Sequence, residues 1–225
     1  MSSYNTYQES NNYLIKTSWG WFGLIIDRDT IKTIILPSYN KSLVLRRFGH
    51  PSLFHSYGMA TDSKNCNSLF VVSDSLNEQQ TKNYEPEGTA VGDASKGKAF
   101  SELRPHILRF LKDLNHYFNG EKVDFRYKID LRDSSDFEKA VYKVLRTIPY
   151  GKIRTYKWVA EKVGCPKGSR AVGNALAKNP LPLIIPCHRV VRSNGSLGSF
   201  SAIGGVKLKK KLLEVEGAIP LMDSG

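Results

Sequence analysis

Residues 181–191 read Leu-Pro-Leu-Ile-Ile-Pro-Cys-His-Arg-Val-Val, and the rest of the chain is arranged around this stretch. The apolar run at residues 183–185 predicts the end of a buried strand, which Pro186 terminates. Cys187 follows between this proline and His188, and a basic neighbour favours the thiolate, which is the nucleophilic form of cysteine. The stretch therefore indicates a reactive cysteine. The alternative is a buried structural cysteine beside a solvated His188–Arg189 pair.

The composition is that of a globular protein with a core. The chain has 225 residues, of which 40% are hydrophobic and 24% charged, enough for one large domain or two small ones. No apolar run reaches the length of a membrane span, and the N-terminus lacks the features of a signal peptide. Three cysteines are too few for a disulfide scaffold. We therefore expect an intracellular protein, in the nucleus if the source is eukaryotic and otherwise in the cytoplasm, and no membrane partner.

The positive charge is concentrated in one part of the chain. The formal net charge is +12, and residues 141–217 hold 15 Lys and Arg against 3 Asp and Glu, whereas the remaining residues hold 18 of each sign. A field of one sign on one module predicts a polyanionic partner, most simply nucleic acid. The alternative is a basic surface that serves solubility.

The first half of the chain predicts a small sheet. Residues 1 to about 12 are polar and are expected to be loose. The runs 19–26 and 30–36 are rich in β-branched and aromatic residues and predict a hairpin. Residues 69–72 predict a third strand. The polar stretch 73–98 predicts a long loop or insertion.

Helices dominate the second half. Apolar residues between Leu103 and Phe118 recur at helical spacing, and a linker at residues 121–131 follows, with a possible short strand at 123–125. Ser135 and Glu138 form a capping-box pattern that opens a second helix. The domain boundary is expected near residues 120–132, dividing the chain into 1–130 and 131–225.

Two short helices after Gly151 predict a helix-turn-helix. Thr155 is expected to cap the first, and Ser169 the second, at residues 170–178. The second helix is small-sided except for Arg170 at its start, a composition suited to the minor groove with one side chain pushed into the base stack. The alternative is a helix packed tightly against the core. A last helix is expected before Gly217.

Several motifs resemble those of the O6-alkylguanine-DNA alkyltransferases, the methylated-DNA–protein-cysteine methyltransferases. They are Ile185-Pro-Cys-His-Arg-Val-Val191, Ile148-Pro-Tyr-Gly-Lys-Ile-Arg-Thr-Tyr156, Arg170-Ala-Val-Gly-Asn-Ala175, Asn179-Pro180, Ser193-Asn-Gly195 and Leu212-Leu-Glu-Val-Glu-Gly217. The resemblance covers about residues 134–217, and a weaker one extends to Tyr117-Phe-Asn-Gly120 and the N-terminal strands.

This resemblance implies an α/β protein with a small ribonuclease-H-like N-terminal sheet domain and a mainly helical C-terminal domain that carries the helix-turn-helix. It also implies direct-reversal DNA repair by a suicide enzyme. The alkyl group of O6-alkylguanine, and of O4-alkylthymine, would pass irreversibly to Cys187 after base flipping in double-stranded DNA. A monomer without a cofactor is expected.

The resemblance assigns roles to individual residues. It implies catalytic roles for Cys187, for His188 as proton acceptor through a water, for Glu216 rather than Glu214 as its orienter, for Tyr156 as donor to the guanine ring, and for the hinge residue Asn179. It implies DNA contacts by Arg170, Ala171, Tyr156, Asn174 and Arg192, with Arg170 filling the gap left by the flipped base. It implies a substrate pocket that includes Ser201, Phe200 and Val190.

The sequence departs from the family pattern after the Asn194-Gly195 turn. The family usually has tyrosine, serine and two glycines, whereas this chain has Phe200-Ser-Ala-Ile203 with Gly204-Gly205 displaced, which changes the expected pocket. Some relatives hold a structural zinc in the N-terminal part. Cys66, His50 and His55 form no recognisable ligand set, so no zinc is expected.

Two other functions compete with alkyl transfer. One is a protein of the same fold that binds alkylated guanine and recruits repair factors; such relatives usually have tryptophan in place of the cysteine. The other is a cysteine hydrolase using Cys187 and His188, although adjacent residues would point apart.

Overall fold

The computed structural model describes residues 10–27, 30–49, 69–72 and 105–218. Contacts divide the chain into two compact units, the first formed by residues 1–107 and 128–130 and the second by residues 108–127 and 131–225. The domain division into 1–130 and 131–225 stays a prediction. The compact units have other bounds, because residues 108–127 pack with the second unit.

The first unit contains a four-stranded sheet and a helix. The strands are β1 (Ser10–Thr17), β2 (Gly20–Asp27), β3 (Thr30–Ser38) and β4 (Leu69–Val72), and helix α1 spans Lys41–Gly49. Their order is β3-β2-β1-β4, antiparallel except for the parallel pair β1–β4. The expected hairpin and the strand at 69–72 are confirmed. Strand β1 corrects the expectation that residues up to 12 are loose, because Ser10, Asn11 and Asn12 pair with β2.

Side chains of the first unit explain the sheet. Leu14, Phe22 and Leu24 are fully buried. Gly20 joins β1 to β2 with φ of 111°, and a Cβ there would lie 2.6 Å from the carbonyl oxygen of Ser38, so no larger residue fits. Helix α1 packs over β2, where a Cβ on Gly23 would lie 2.8 Å from the ring of Phe48.

The second unit is mainly helical. Its helices are the greater part of α2 (Pro105–Phe118), α3 (Asp136–Leu145), α4 (Tyr156–Lys162), α5 (Ser169–Ala177) and α6 (Gly205–Val215), with a two-stranded parallel sheet of β5 (Arg154–Thr155) and β6 (Val190–Val191). The described part of the chain is therefore mixed α/β.

The capping predictions have mixed outcomes. Ser135 accepts a hydrogen bond from the Glu138 N–H and Glu138 accepts one from the Ser135 N–H, so the capping box is confirmed. Thr155 caps α4 as expected. Ser169 does not cap α5, because the N-cap is Gly168 and its position has no side-chain cap. No strand forms at residues 123–125.

The segment before Cys187 is a turn rather than the expected strand end. Pro182 and Ile185 form only an isolated bridge, the Ile185 N–H donates to the carbonyl of Leu181 at 2.8 Å, and Leu183 has φ of 76°. Positive φ in a branched residue is a strained conformation that surrounding packing must hold. Leu181, Leu183 and Ile185 are all buried, which supplies that packing. Within the described ranges, no helix is long and apolar enough to cross a membrane.

Candidate alkyl-acceptor site

Cys187 begins a buried 3₁₀ turn, Cys187–Arg189, that leads directly into β6. The Cys187 N–H donates to the carbonyl of Ile185 at 2.8 Å, and the Arg189 N–H donates to that of Pro186 at 3.0 Å. Strand β6 then pairs with β5, whose last residue precedes Tyr156. Backbone pairing therefore brings the start of α4 beside the cysteine turn.

The thiol of Cys187 is buried, and its surroundings pull its pKa in opposite directions. Burial raises the pKa of the thiol, whereas a hydrogen bond from the Asn179 side chain and the charge of Lys209 lower it. Asn179 also donates from Nδ2 to the carbonyl of Ile185 at 2.8 Å and accepts from the Leu181 N–H at 3.0 Å. Asn179 thus ties the end of α5 to the turn before Cys187, and its role as a hinge stays a prediction.

Glu216, the C-cap of α6, is a buried acceptor for several donors. Its Oε1 accepts from His188 Nε2 at 2.9 Å and Arg189 Nη2 at 2.9 Å, and its Oε2 accepts from Arg189 Nε at 2.8 Å and the Gly151 N–H at 3.2 Å. Tyr117 donates from its hydroxyl to Oε1 at 2.8 Å. Although burial raises the pKa of this carboxyl, the bonds and charges of His188 and Arg189 outweigh it and lower the pKa to about 2.

The guanidinium of Arg189 binds this carboxylate and not the thiol. Besides its two bonds to Glu216 it donates from Nη1 to the carbonyl of Ile148 at 2.7 Å. The guanidinium of Arg189 is therefore engaged by Glu216 and the Ile148 carbonyl, and the expectation that a basic neighbour favours the thiolate stays a prediction. Lys209, which lies far along the chain, is the cation that acts on Cys187.

His188 is fully buried and has one ring nitrogen without a protein partner in the described part of the chain. Nε2 contacts Glu216, while Nδ1 has no hydrogen-bond partner there. Burial lowers the pKa of His188 despite the opposing effect of Glu216, so the ring is neutral at pH 7. Because the ionised carboxylate can only accept, the proton resides on Nε2 and the lone pair of Nδ1 is available to accept a proton.

Lys209 is a site residue that the sequence analysis missed. It is 0% exposed, and its Nζ donates to the carbonyls of Val190 at 2.6 Å and Leu197 at 2.5 Å. Nζ also lies 5.7 Å from the centre of the Tyr156 ring. Burial lowers the pKa of Lys209 to about 8, with Cys187 acting in the opposite direction. In sequence, Lys209 lies in a lysine-rich segment that resembles a solvated helix face, and only its helical spacing from Leu212 and Leu213 indicated burial.

Tyr156, the first residue of α4, stands between the cysteine turn and α5. A Cβ on Gly198 would lie 3.1 Å from its hydroxyl, and one on Gly173 of α5 would lie 3.9 Å from its ring. Burial and the charge of Cys187 raise the pKa of Tyr156, and Arg192 lowers it. The Tyr156 hydroxyl therefore lies within electrostatic range of both Cys187 and Arg192.

Helix α5 presents a small-sided outer face. Arg170, Ala171 and Asn174 are exposed, whereas Val172 and Ala175 are buried. The inner face is fixed by the Tyr142 hydroxyl, which donates to the carbonyl of Ala175 at 3.0 Å. The alternative of a helix packed tightly against the core thus describes only the inner face.

The three expected pocket residues lie in different surroundings. Val190 is fully buried in β6, Phe200 is half-buried and Ser201 is exposed. Phe200 and Ser201 belong to the loop that ends at Gly204, which has φ of 96° and is the N-cap of α6. In the described ranges no three His, Cys, Asp or Glu side chains come together as a metal site. Cys66, His50 and His55 lie outside the described residues, as does the polar stretch 73–98.

Known proteins match this chain in sequence. Residues 136–218 match the family model of the 6-O-methylguanine DNA methyltransferase DNA-binding domain. The methylated-DNA–protein-cysteine methyltransferase of Mycobacterium tuberculosis is 46% identical over 103 residues, which span 46% of this chain and 61% of that protein. The protein of that name from Metallosphaera sedula is 50% identical over 114 residues, 50% of this chain and 69% of the relative.

Solved structures match over most of the chain. The crystal structure of the M. tuberculosis O6-methylguanine methyltransferase gives a TM-score of 0.59 at 27% identity, covering 95% of this chain and 96% of that one. A structure of M. tuberculosis OGT in complex with DNA gives a TM-score of 0.59 at 26% identity, covering 92% and 93%. With the Metallosphaera match extending over more than two thirds of that relative, the chain belongs to the methylated-DNA–protein-cysteine methyltransferase family.

Proposed function

We propose that this protein repairs alkylated DNA by transferring the alkyl group from O6 of guanine to Sγ of Cys187. The observation that carries the proposal is that a buried thiol is followed directly in sequence by a buried neutral histidine. His188 is bound through Nε2 to an ionised carboxylate, and its Nδ1 has no protein partner among the described residues. Such a pair can take up the proton of a thiol that burial otherwise keeps protonated.

The reaction starts with the Cys187 proton. It passes through a water to Nδ1 of His188, which has no protein partner among the described residues, and Glu216 stabilises the imidazolium that forms. Lys209 stabilises the thiolate electrostatically. The sulfur then attacks the alkyl carbon, the S–C bond forms and the C–O6 bond breaks, and the electron pair of that bond stays on guanine.

The leaving guanine needs a proton to become neutral. The hydroxyl of Tyr156, whose pKa burial keeps above its ordinary value, is the donor in this proposal, and the imidazolium restores its proton, so the thiol proton ends on guanine. The product on the protein is a thioether without a good leaving group. Each molecule therefore acts once, and O4 of alkylated thymine offers the same chemistry.

Helices α4 and α5 are proposed to act as a helix-turn-helix on double-stranded DNA that contains the lesion. The exposed small residues of α5 allow close approach to the minor groove, and Arg170 replaces the flipped base in the stack. We further propose that the first unit is ribonuclease-H-like and that the protein binds DNA as a monomer. It acts in the nucleus if the source is eukaryotic and otherwise in the cytoplasm.

The stoichiometry of the reaction tests this function. Increasing amounts of the protein are incubated with a duplex that carries O6-methylguanine, and the restored guanine is counted by chromatography of the bases. We expect one guanine per protein molecule and a plateau thereafter. Continued turnover, or guanine formation by Cys187→Ser, would refute the proposal. Cys165→Ser is the matched control, because Cys165 is exposed in the turn between α4 and α5.

A further inference from the structure

Tyr117 reaches the carboxylate of the site from a helix that precedes the segment matched by the family model. Its side chain is fully buried near the end of α2, and its hydroxyl donates to Glu216 Oε1 at 2.8 Å across 99 residues of sequence. Aromatic rings fix its orientation, with ring centres at 5.4 Å for Phe125, 5.9 Å for Phe118 and 6.1 Å for Tyr150. The packing of the ring therefore fixes the Tyr117 hydroxyl in position to donate to the Glu216 carboxylate.

The same oxygen atom is bound by the histidine. Oε1 of Glu216 accepts from Tyr117, from His188 Nε2 and from Arg189 Nη2, so three donors share one carboxylate oxygen. Burial and Glu216 raise the pKa of Tyr117 well above its ordinary value, so the hydroxyl stays a neutral donor at every working pH. Each donor reduces the negative potential that the others feel.

We propose that Tyr117 is a positioning residue for alkyl transfer: its hydroxyl holds Oε1 of Glu216 against the imidazole of His188 and limits how strongly Glu216 attracts a proton onto that ring. Helix α2 is therefore a part of the alkyl-acceptor site, outside residues 136–218. The assignment rests on the proposed function only in treating His188 as the acceptor of the thiol proton.

The electrostatic surroundings define the direction of the effect. The charged and titratable groups around the His188–Glu216 pair are Arg189 on the same turn, Lys209 on α6, Tyr150 after α3, Cys187 and Tyr117 itself. Arg189 keeps two bonds to Glu216 when the Tyr117 hydroxyl is removed, so the carboxylate stays ionised. With one donor fewer, this carboxylate stabilises the imidazolium more strongly, and His188 holds its proton to a higher pH.

Titration of His188 in the full chain tests the proposal. The imidazole signals are followed by NMR against pH in histidine-labelled protein, with His188→Gln identifying the resonance. We expect His188 to titrate at higher pH in Tyr117→Phe than in the unchanged chain, and the acid limb of the alkyl-transfer rate to move the same way. Placing 3-fluorotyrosine at position 117, which makes the hydroxyl a stronger donor, moves the titration to lower pH and retains the ring if phenylalanine prevents folding.

Tyr127→Phe is the matched control. The Tyr127 hydroxyl also donates to a carboxylate, that of Asp113, and its ring packs on Phe110 in the same aromatic cluster, 5.3 Å between centres. This variant leaves the His188 titration unchanged. An unshifted titration in both position-117 variants, or an equal shift in Tyr127→Phe, would overturn the proposal. If the titration shifts as expected but the unchanged chain transfers no alkyl group, the proposed function fails and the Tyr117 contact stands.

Discussion

At the scale of single residues, the buried pair of Glu216 and Arg189 links the site to the stability of the second unit. Removing the charge of Glu216 leaves the guanidinium of Arg189 buried without its counter-ion, and breaking such a pair costs about 3–5 kcal/mol. We expect Glu216→Gln to lower the free energy of unfolding by that amount at pH 7, measured by urea denaturation. Glu214→Gln, which alters an acid 49% exposed on the same helix, should change it by less than about 0.5 kcal/mol.

Acid should weaken the protein through the same residue. The pKa of Glu216 is lowered from 4.5 to about 2, so its stabilising effect is complete above 4.5 and is lost as the pH falls from 4.5 towards 2. The lost contribution is about 3 kcal/mol. His188, whose pKa is also lowered, adds a loss below its ordinary value of 6.5, because the unfolded chain binds that proton first. The difference between the unchanged chain and Glu216→Gln should therefore shrink below pH 4.5; a constant difference would contradict the assignment.

Lys209 is expected to control the reactivity of Cys187. Its charge lowers the pKa of Cys187, so Lys209→Met should slow methyl transfer at pH 7 by about tenfold, equivalent to roughly 1.4 kcal/mol. The pKa of Lys209 is about 8, so the unchanged chain loses this advantage above pH 8 and the two rates converge. Single-turnover rates across this pH range measure the effect. Lys207→Met, which alters an exposed lysine of α6, is the control, and a pH-independent loss would indicate a structural role only.

Among the helices and strands, the sequence predicts those that are signalled by a pattern of neighbouring residues. The capping box at Ser135, the cap at Thr155 and the β-branched and aromatic runs of β2 and β3 are local patterns, and the elements they predict are present. Helix α1 was not predicted, although the Asn40 side chain accepts a hydrogen bond from the Ser42 N–H at 3.0 Å and could have indicated its start. Strand β1 was missed because Asn11 and Asn12 look polar and become strand residues only by pairing with β2.

Helix α5 is expected to act on DNA through Arg170. Flipping a guanine leaves a gap in the stack, and Arg170 is exposed near the start of a helix whose outer face is otherwise small. Arg170→Ala should slow repair of double-stranded DNA by about ten- to a hundredfold, or roughly 1.4–2.7 kcal/mol. Reaction with the free base O6-benzylguanine, which needs no flipping, should be almost unaffected. Equal losses on the two substrates would assign Arg170 to the pocket or the fold instead.

At the scale of the whole molecule, the uneven charge predicts how DNA binding responds to salt. Residues 141–217 carry 15 basic and 3 acidic side chains, so affinity should fall steeply as salt rises. Replacing the exposed Lys157 and Lys167 by alanine should reduce the slope of log affinity against log salt by about 1–2, since each lost phosphate contact contributes about 0.9. Replacing the exposed Lys16 and Arg46 of the first unit should leave the slope unchanged. Equal effects would contradict the charge argument.

The site combines what motifs can predict with what only folding assembles. Cys187 and His188 are adjacent in sequence, and Glu216 was chosen over Glu214 by its position before a glycine, a choice that its buried contacts with His188 support. Tyr117 and Lys209 were missed because neither lies in a local pattern that signals chemistry. Their contacts with Glu216 and with the Val190 carbonyl depend on how distant helices pack.

Transfer of the alkyl group to Cys187 alone can be tested by peptide mass mapping. The protein is incubated with a duplex containing O6-methylguanine, digested, and the masses of the cysteine-containing peptides are compared with those of untreated protein. The peptide with Cys187 should gain the mass of one methyl group in place of the thiol hydrogen, and those with Cys66 and Cys165 should be unchanged. A methyl group on Cys66 or Cys165, or no gain on Cys187 while guanine is restored, would contradict the assignment of Cys187 as the single acceptor.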